Sequence, residues 1–215
     1  MEKNNPLYKN QGIHLITSIF TVEDGKVKVL LIRRSNEPFK DMWALVGGAL
    51  YNNEEIEIGV KREIFEKTGI KDIDIYFSSI FSKVERSPLM RMIAISYIGI
   101  VDNKKMEILK ETLKTCNADW FSIESIPDLA YDHNEIICKS LDKLKELILD
   151  TNILKTLFSF EFTIPELQSV YEIILEKKLD RRNFRKKLLV DNIIVDTNKT
   201  KNYKGNKPAK LYKFR

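Results

Sequence analysis

Apolar positions cluster early in the chain, where GIHLITSIF is followed, after Glu23-Asp24-Gly25, by VKVLLIRR. Two such runs around an acidic-Gly break predict a strand, a hairpin turn and a second strand over residues 12–34. MWALVGGAL at 42–50 predicts a further buried strand, broken at Gly47-Gly48, where a double glycine allows a sharp turn or a close backbone approach to a ligand. The period then changes. Ile56, Val60 and Ile64 recur every four residues and predict a helix to about Thr68, with Asn52 and Asn53 as its caps. Glu54 and Glu55 suit the positive end of its dipole, and Gly69 supplies its stop. Residues 72–82 and 91–101 read as strands and 118–121 as a short one. Asp132 to Leu149 reads as a helix carrying Ile136, Leu141, Leu144 and Leu147 or Ile148 at helical spacing.

After Thr151 the pattern is different. Thr163 caps a helix that opens with Pro165 and continues as ELQSVYEIILEKK, and Leu179 to Leu189 forms a second, shorter helix after a tight connection. Ile193-Ile194-Val195, a polar Lys, Asn and Gly stretch, and Leu211-Tyr212-Lys213-Phe214 follow. Helix, turn, basic helix and two-stranded wing is the order of a winged helix-turn-helix. The boundary falls near residues 150–156, dividing the chain into 1–150 and 151–215.

The 215 residues are 43% apolar and 31% charged, a globular balance that excludes a mostly disordered or collagen-like chain. No apolar run approaches the roughly 20 residues of a membrane span. The start, MEKNNPLYKNQG, lacks the apolar stretch of a signal peptide, which predicts a cytoplasmic protein. The net charge of +5 is unevenly placed. Residues 151–215 hold 15 Lys and Arg against 7 Asp and Glu, a net of +8, which leaves −3 for the rest. Such asymmetry is expected when one part of a protein meets a polyanion.

Cys116 and Cys138 have no CxxC partner and read as reduced packing residues. His14 and His133 are too few for a zinc site. Glu63 and Glu66, three apart on the predicted helix, project from one face, where two carboxylates can hold Mg²⁺ against a substrate's phosphates.

The spacing around that pair is more specific. Gly48, five residues, Glu54, seven residues and then REIFEKTGI from Arg62 to Ile70 resembles the Nudix box of the pyrophosphohydrolase superfamily. The resemblance implies an α/β/α sandwich with a mixed sheet, an ion pair between Glu54 and Arg62, and metal or ligand positions at Glu63 and Glu66. It departs at Lys67, where the family has the second Glu of a Glu-Glu pair. An ammonium among Mg²⁺ ligands repels the ion and removes an oxygen, so the box reads as catalytically impaired, with no cofactor required. At that place in the box Lys67 could instead contact a ligand phosphate directly, standing in for the missing metal. Val46, where the family often has Pro, is a second, minor departure.

In the basic helix, Phe184 and Leu188 are four apart and predict an anchor to the small core, leaving Arg181, Arg182, Asn183, Arg185 and Lys186 to meet DNA. Lys201, Lys204 and Lys207 surround Gly205 in the wing. A Nudix-like domain followed by segments such as RRNFRKKL and GNKPAKLYKF is similar to the NrtR family of Nudix-related transcriptional regulators. Phe81 to Tyr97, Trp120-Phe121 and Tyr131-Asp132-His133 extend the likeness. It implies a homodimer on an operator duplex, with the Nudix-like domain sensing ADP-ribose or a related phosphorylated metabolite of NAD or sugar metabolism. The effector pocket it implies uses Arg34, Gly47, Gly48, Glu63, Glu66, Lys67, Arg86 and Arg91. The alternative is an active hydrolase cleaving ADP-ribose or a similar diphosphate, with Mg²⁺ on Glu63 and Glu66 and the C-terminal domain serving dimerisation. A bifunctional protein is the third reading.

Overall fold

The computed structural model describes residues 5, 7, 9–102, 108–112, 115–148, 151–158, 161–202 and 208–215. Lys204, Lys207 and Gly205 lie outside them. Strands β1 (Gly12–Glu23) and β2 (Lys26–Arg34) form the expected hairpin, turning on Asp24 and Gly25, both at positive φ. β3 (Trp43–Ala44), β4 (Val46–Ala49), β5 (Asp74–Phe81), β6 (Met92–Ile100) and β7 (Thr115–Ser122) complete a seven-stranded sheet. Its path runs β3-β2-β1-β6-β5, with β4 added to β1 and β7 to β2. β1 and β6 are parallel and the other pairs antiparallel, so the sheet is mixed.

Both faces are covered, which explains why β1 and β2 are apolar nearly throughout instead of alternating. Leu15, Ile19, Leu30 and Ile32 point to one face and pack with Val60 and Ile64 of helix α1 (Ile56–Thr68). Ile16, Phe20, Val29 and Leu31 point to the other, where α2 (His133–Leu147) brings Ile136, Ile137 and Leu144. The result is the expected α/β/α sandwich.

Three local expectations are corrected. The strand at 42–50 breaks at Leu45 and not at the glycines, because the Leu45 amide leaves the ladder to donate to His133 Nδ1 at 3.0 Å. Asn52 and Asn53 do not cap α1. Glu55 is its N-cap, and Glu54 instead accepts the Tyr51 amide at 2.8 Å and turns to Arg62. Gly69 closes the helix at φ 76° as expected. Cys116 and Cys138 are free but exposed, contrary to the packing role expected of them.

A helix absent from the pattern reading, α3 (Thr151–Leu157), precedes the winged unit. Then come α4 (Ile164–Leu175), α5 (Arg181–Val190) and the antiparallel wing β8 (Ile194–Lys201) and β9 (Ala209–Phe214). Thr163 and Glu166 form a full capping box at α4, with Pro165 in the first turn. Ile164, Leu167, Val170 and Ile174 of α4 join the same apolar cluster as Val22, Val27 and Leu144, so the winged unit packs on the α2 face of the sheet. Lys145 of α2 meets Glu176 at the end of α4 at 3.1 Å. No helix among the described residues is long and apolar enough to cross a membrane.

Candidate functional site

The first site grows from the β4–α1 junction. Gly47 and Gly48 lie in β4 against β1, and a Cβ on Gly47 would stand 2.2 Å from the Leu15 carbonyl oxygen. One on Gly48 would stand 2.3 Å from the Glu63 carboxylate. Only glycine lets α1 press Glu63 so close to the sheet. Glu63 is 3% exposed there, its carboxylate set against Gly48.

Arg62 organises the carboxylates. Its guanidinium donates to both Glu54 oxygens at 2.6 and 2.8 Å, to Glu63 Oε1 at 2.5 Å, to Glu66 Oε2 at 3.2 Å and to the Ala49 carbonyl at 2.9 Å. The Tyr51 ring lies 3.7 Å from its Cζ. Lys67 Nζ stands 3.3 Å from Glu63 Oε2, an ion pair that is off hydrogen-bond geometry, so this buried oxygen has no hydrogen-bond donor. Lys67 also lines a hollow of about 210 Å³ with Arg34, Ser35, Asn36 and Ile32. Arg34 is oriented by the Pro38 and Asn36 carbonyls, at 2.9 and 3.2 Å, and its Cζ lies 5.0 Å from the centre of the Tyr131 ring.

Arg34, Gly47, Gly48, Glu63, Glu66 and Lys67 are therefore brought together, whereas the two remaining pocket candidates are not placed alike. Arg86 is buried and donates to both Asp132 oxygens at 2.9 and 2.7 Å, which fixes the start of α2. Arg91 donates outward to the Lys83 carbonyl at 2.9 Å. Three aromatic residues stand beside this cluster, with Tyr131 next to Arg34. Tyr131, at φ 55°, packs 4.6 Å from Phe39 and 5.5 Å from His133. Burial first, then Lys67 and Arg86, pushes the imidazole of His14 down to about 4, so it is neutral in a cation-dominated corner. His133 is buried and its pKa is likewise driven down by desolvation. Tyr131 and His133 belong to the aromatic-Asp-His run at 131–133 just ahead of α2, whereas His14 lies in β1 with no such marker.

The second site is α5. Leu188 is buried and Phe184 packs on Tyr171 at 5.2 Å, which leaves Arg181, Arg182, Asn183, Arg185 and Lys186 exposed. Arg181 and Arg185 line a shallow hollow against Lys210 of the wing. Arg182 and Lys186 lie opposite the anchoring pair on the helix wheel and project furthest from the core. Lys201 is exposed but meets Glu166 at 2.7 Å.

Glu172 ties the end of α4 to the connection that leads into α5. Its carboxylate accepts from Gln168 Nε2 at 2.8 Å, the Leu179 amide at 2.9 Å and Lys178 Nζ at 2.9 Å, and these bonds, that from Gln168 foremost, hold its pKa near 2 instead of 4.5. A depressed carboxylate contributes stability above the unfolded value and loses it as pH falls towards the folded one. Glu172→Gln is thus expected to melt below wild type and bind duplex DNA more weakly at pH 7. The gap in melting temperature should close between pH 4.5 and about 2. A gap independent of pH would remove this role.

The family model for the NUDIX domain matches residues 12–140, more than half of the chain. The chain belongs to the Nudix family. Residues 156–214 match the NrtR DNA-binding winged helix domain. The chain is 29% identical over 201 residues to the ADPR responsive transcriptional repressor NtrR of Acinetobacter baylyi, covering 92% of this chain and 79% of the relative. The crystal structure of Shewanella oneidensis NrtR complexed with a 27mer DNA is 26% identical with a TM-score of 0.75, covering 94% of this chain and 93% of that one. The NUDIX domain of the same protein, in complex with ADP ribose, is 25% identical with a TM-score of 0.59 and covers 65% of this chain and 93% of that one.

Nudix chemistry implies a divalent metal held by box carboxylates, and the donor set here does not fit one. Glu54 is spent on Arg62 and Tyr51, Glu63 on Arg62 and Lys67, and Glu66 Oε2 on Arg62. A Mg²⁺ ion needs oxygens at about 2.0–2.1 Å in near-octahedral array. Reaching the unbonded Glu63 oxygen would place it beside the Lys67 ammonium.

Proposed function

We propose that this Nudix-family chain is a DNA-binding transcriptional regulator whose Nudix domain senses ADP-ribose or a related phosphorylated metabolite and alters the grip of the winged helix on its operator. One observation carries the reading: a box whose carboxylates are occupied by Arg62 and Lys67 shares a chain with an outward-facing basic helix in a winged unit. The likeness to NrtR over nearly the whole chain supports the same assignment. Helix α2 offers the physical link. Its first turn is tied to the effector side through Arg86–Asp132 and Leu45–His133, and its far end meets α4 through Lys145–Glu176.

The regulator acts as a homodimer in the cytoplasm, on genes of NAD or sugar metabolism. One recognition helix per chain suits paired half-sites about one helical turn apart. With roughly six phosphates neutralised per dimer, log affinity for operator DNA should fall with log salt at a slope of about −5. Anisotropy titrations from low to moderate salt check this, and a slope near zero would rule out a phosphate-gripping wing and helix. The hydrolase reading is tested by incubation with ADP-ribose and Mg²⁺. Sustained turnover that Glu66→Gln abolishes would replace the sensor with an enzyme.

A further inference from the structure

The misfit between the box and a divalent ion has a constructive side. We propose that the Lys67 ammonium, with the Arg34 guanidinium across the hollow they share, is a built-in cation site that holds the diphosphate of the effector without metal. This rests on the phosphorylated-effector reading above and deepens it: the ligand class is a diphosphate, bound as the free anion and left uncleaved.

Three observations converge on it. Lys67 is fixed by Glu63 at 3.3 Å, and its side chain is 13% exposed, so its charge is anchored and partly desolvated before a ligand arrives. Arg34 is likewise preset by two backbone carbonyls. Both cations line one hollow of about 210 Å³ whose other walls, Ile32, Ser35 and Asn36, bring no acidic side chain. Little ordering is then left to pay on binding, and an anion entering such a site meets charge-assisted donors where water is partly excluded.

The position of Lys67 also accounts for the absence of any need for hydrolytic machinery. A resident divalent ion can polarise a phosphoryl group and activate a water. An ammonium supplies attraction and hydrogen bonds but no open coordination position for water. The site therefore retains recognition and lacks that route to cleavage.

The test is calorimetric titration of the full chain with inorganic pyrophosphate and, separately, with ADP-ribose, in EDTA and in Mg²⁺. The proposal expects pyrophosphate to bind in EDTA and Lys67→Gln to weaken it about 10- to 100-fold, with Lys67→Arg restoring most of the affinity. Arg34→Lys serves as the second variant, with a smaller loss expected from its poorer fork geometry, and melting curves verify that each variant is folded. Pyrophosphate bound in EDTA with ADP-ribose failing to bind supports the cation site while sinking the ADP-ribose reading. Pyrophosphate binding that requires Mg²⁺, no binding under either condition, or an affinity unmoved in folded Lys67→Gln overturns the proposal.

Discussion

Arg62→Met is expected to lower the stability of the protein by about 3–5 kcal/mol, the cost of removing one partner from a buried charge network. At this chain length that corresponds to a drop in melting temperature of about 6–20 °C. The physical reason is the number of carboxylates that depend on one side chain. Glu54, Glu63 and Glu66 all accept from the guanidinium, and the side chains of Glu54 and Glu63 are only 9% and 4% exposed. Without Arg62 they repel one another, and the Ala49 carbonyl loses its donor as well. Lys67 meets Glu63 off hydrogen-bond geometry at 3.3 Å, so it is a poor substitute for the guanidinium. Differential scanning calorimetry of wild type and variant checks this. A shift under 2 °C, below the roughly 1 kcal/mol that such a shift represents, would mean that the network is solvent-screened.

Arg182→Ala is expected to cost about 1–3 kcal/mol of operator affinity and to relax sequence preference at one position, as loss of a bidentate base contact does. Arg182 is exposed and lies opposite Phe184 and Leu188, the side chains that pin α5 to the winged unit. Its removal therefore leaves the helix seated. The contrast is with Lys201, which is shared with Glu166 at 2.7 Å and is expected to contribute to phosphate attraction without base discrimination. Measuring both variants against the operator and a scrambled duplex separates the roles. Uniform weakening by Arg182→Ala on the two duplexes would reassign it to the phosphate backbone.

Much of this was legible because the informative patterns are local. The hairpin, α1, α2 and the capping box of α4 follow from periodicity and end signals spaced within a few residues. The Nudix box, too, is a continuous motif. The misreadings came from contacts distant in sequence. The strand at 42–50 breaks at Leu45 because His133, 88 residues away, takes its amide. The Glu54–Arg62 pair, by contrast, is the one the box resemblance implies. Arg86 pairs with Asp132, 46 residues on, through Nε and Nη2, a contact that no local pattern announces. Tyr131 and His14 take their places through tertiary packing, which brings the Tyr131 ring to Arg34 and His14 beside it. The helix α3 hid in a short segment whose apolar positions span barely two turns.

The most direct test of the account is fluorescence anisotropy of the full chain on duplex DNA from its own upstream promoter, titrated with ADP-ribose in EDTA. The account predicts saturable binding to that duplex, tighter than to a scrambled one, with a midpoint that ADP-ribose moves at least several-fold while metal is absent. Binding no tighter than to the scrambled duplex, or a midpoint that stays fixed as ADP-ribose is added, would contradict it.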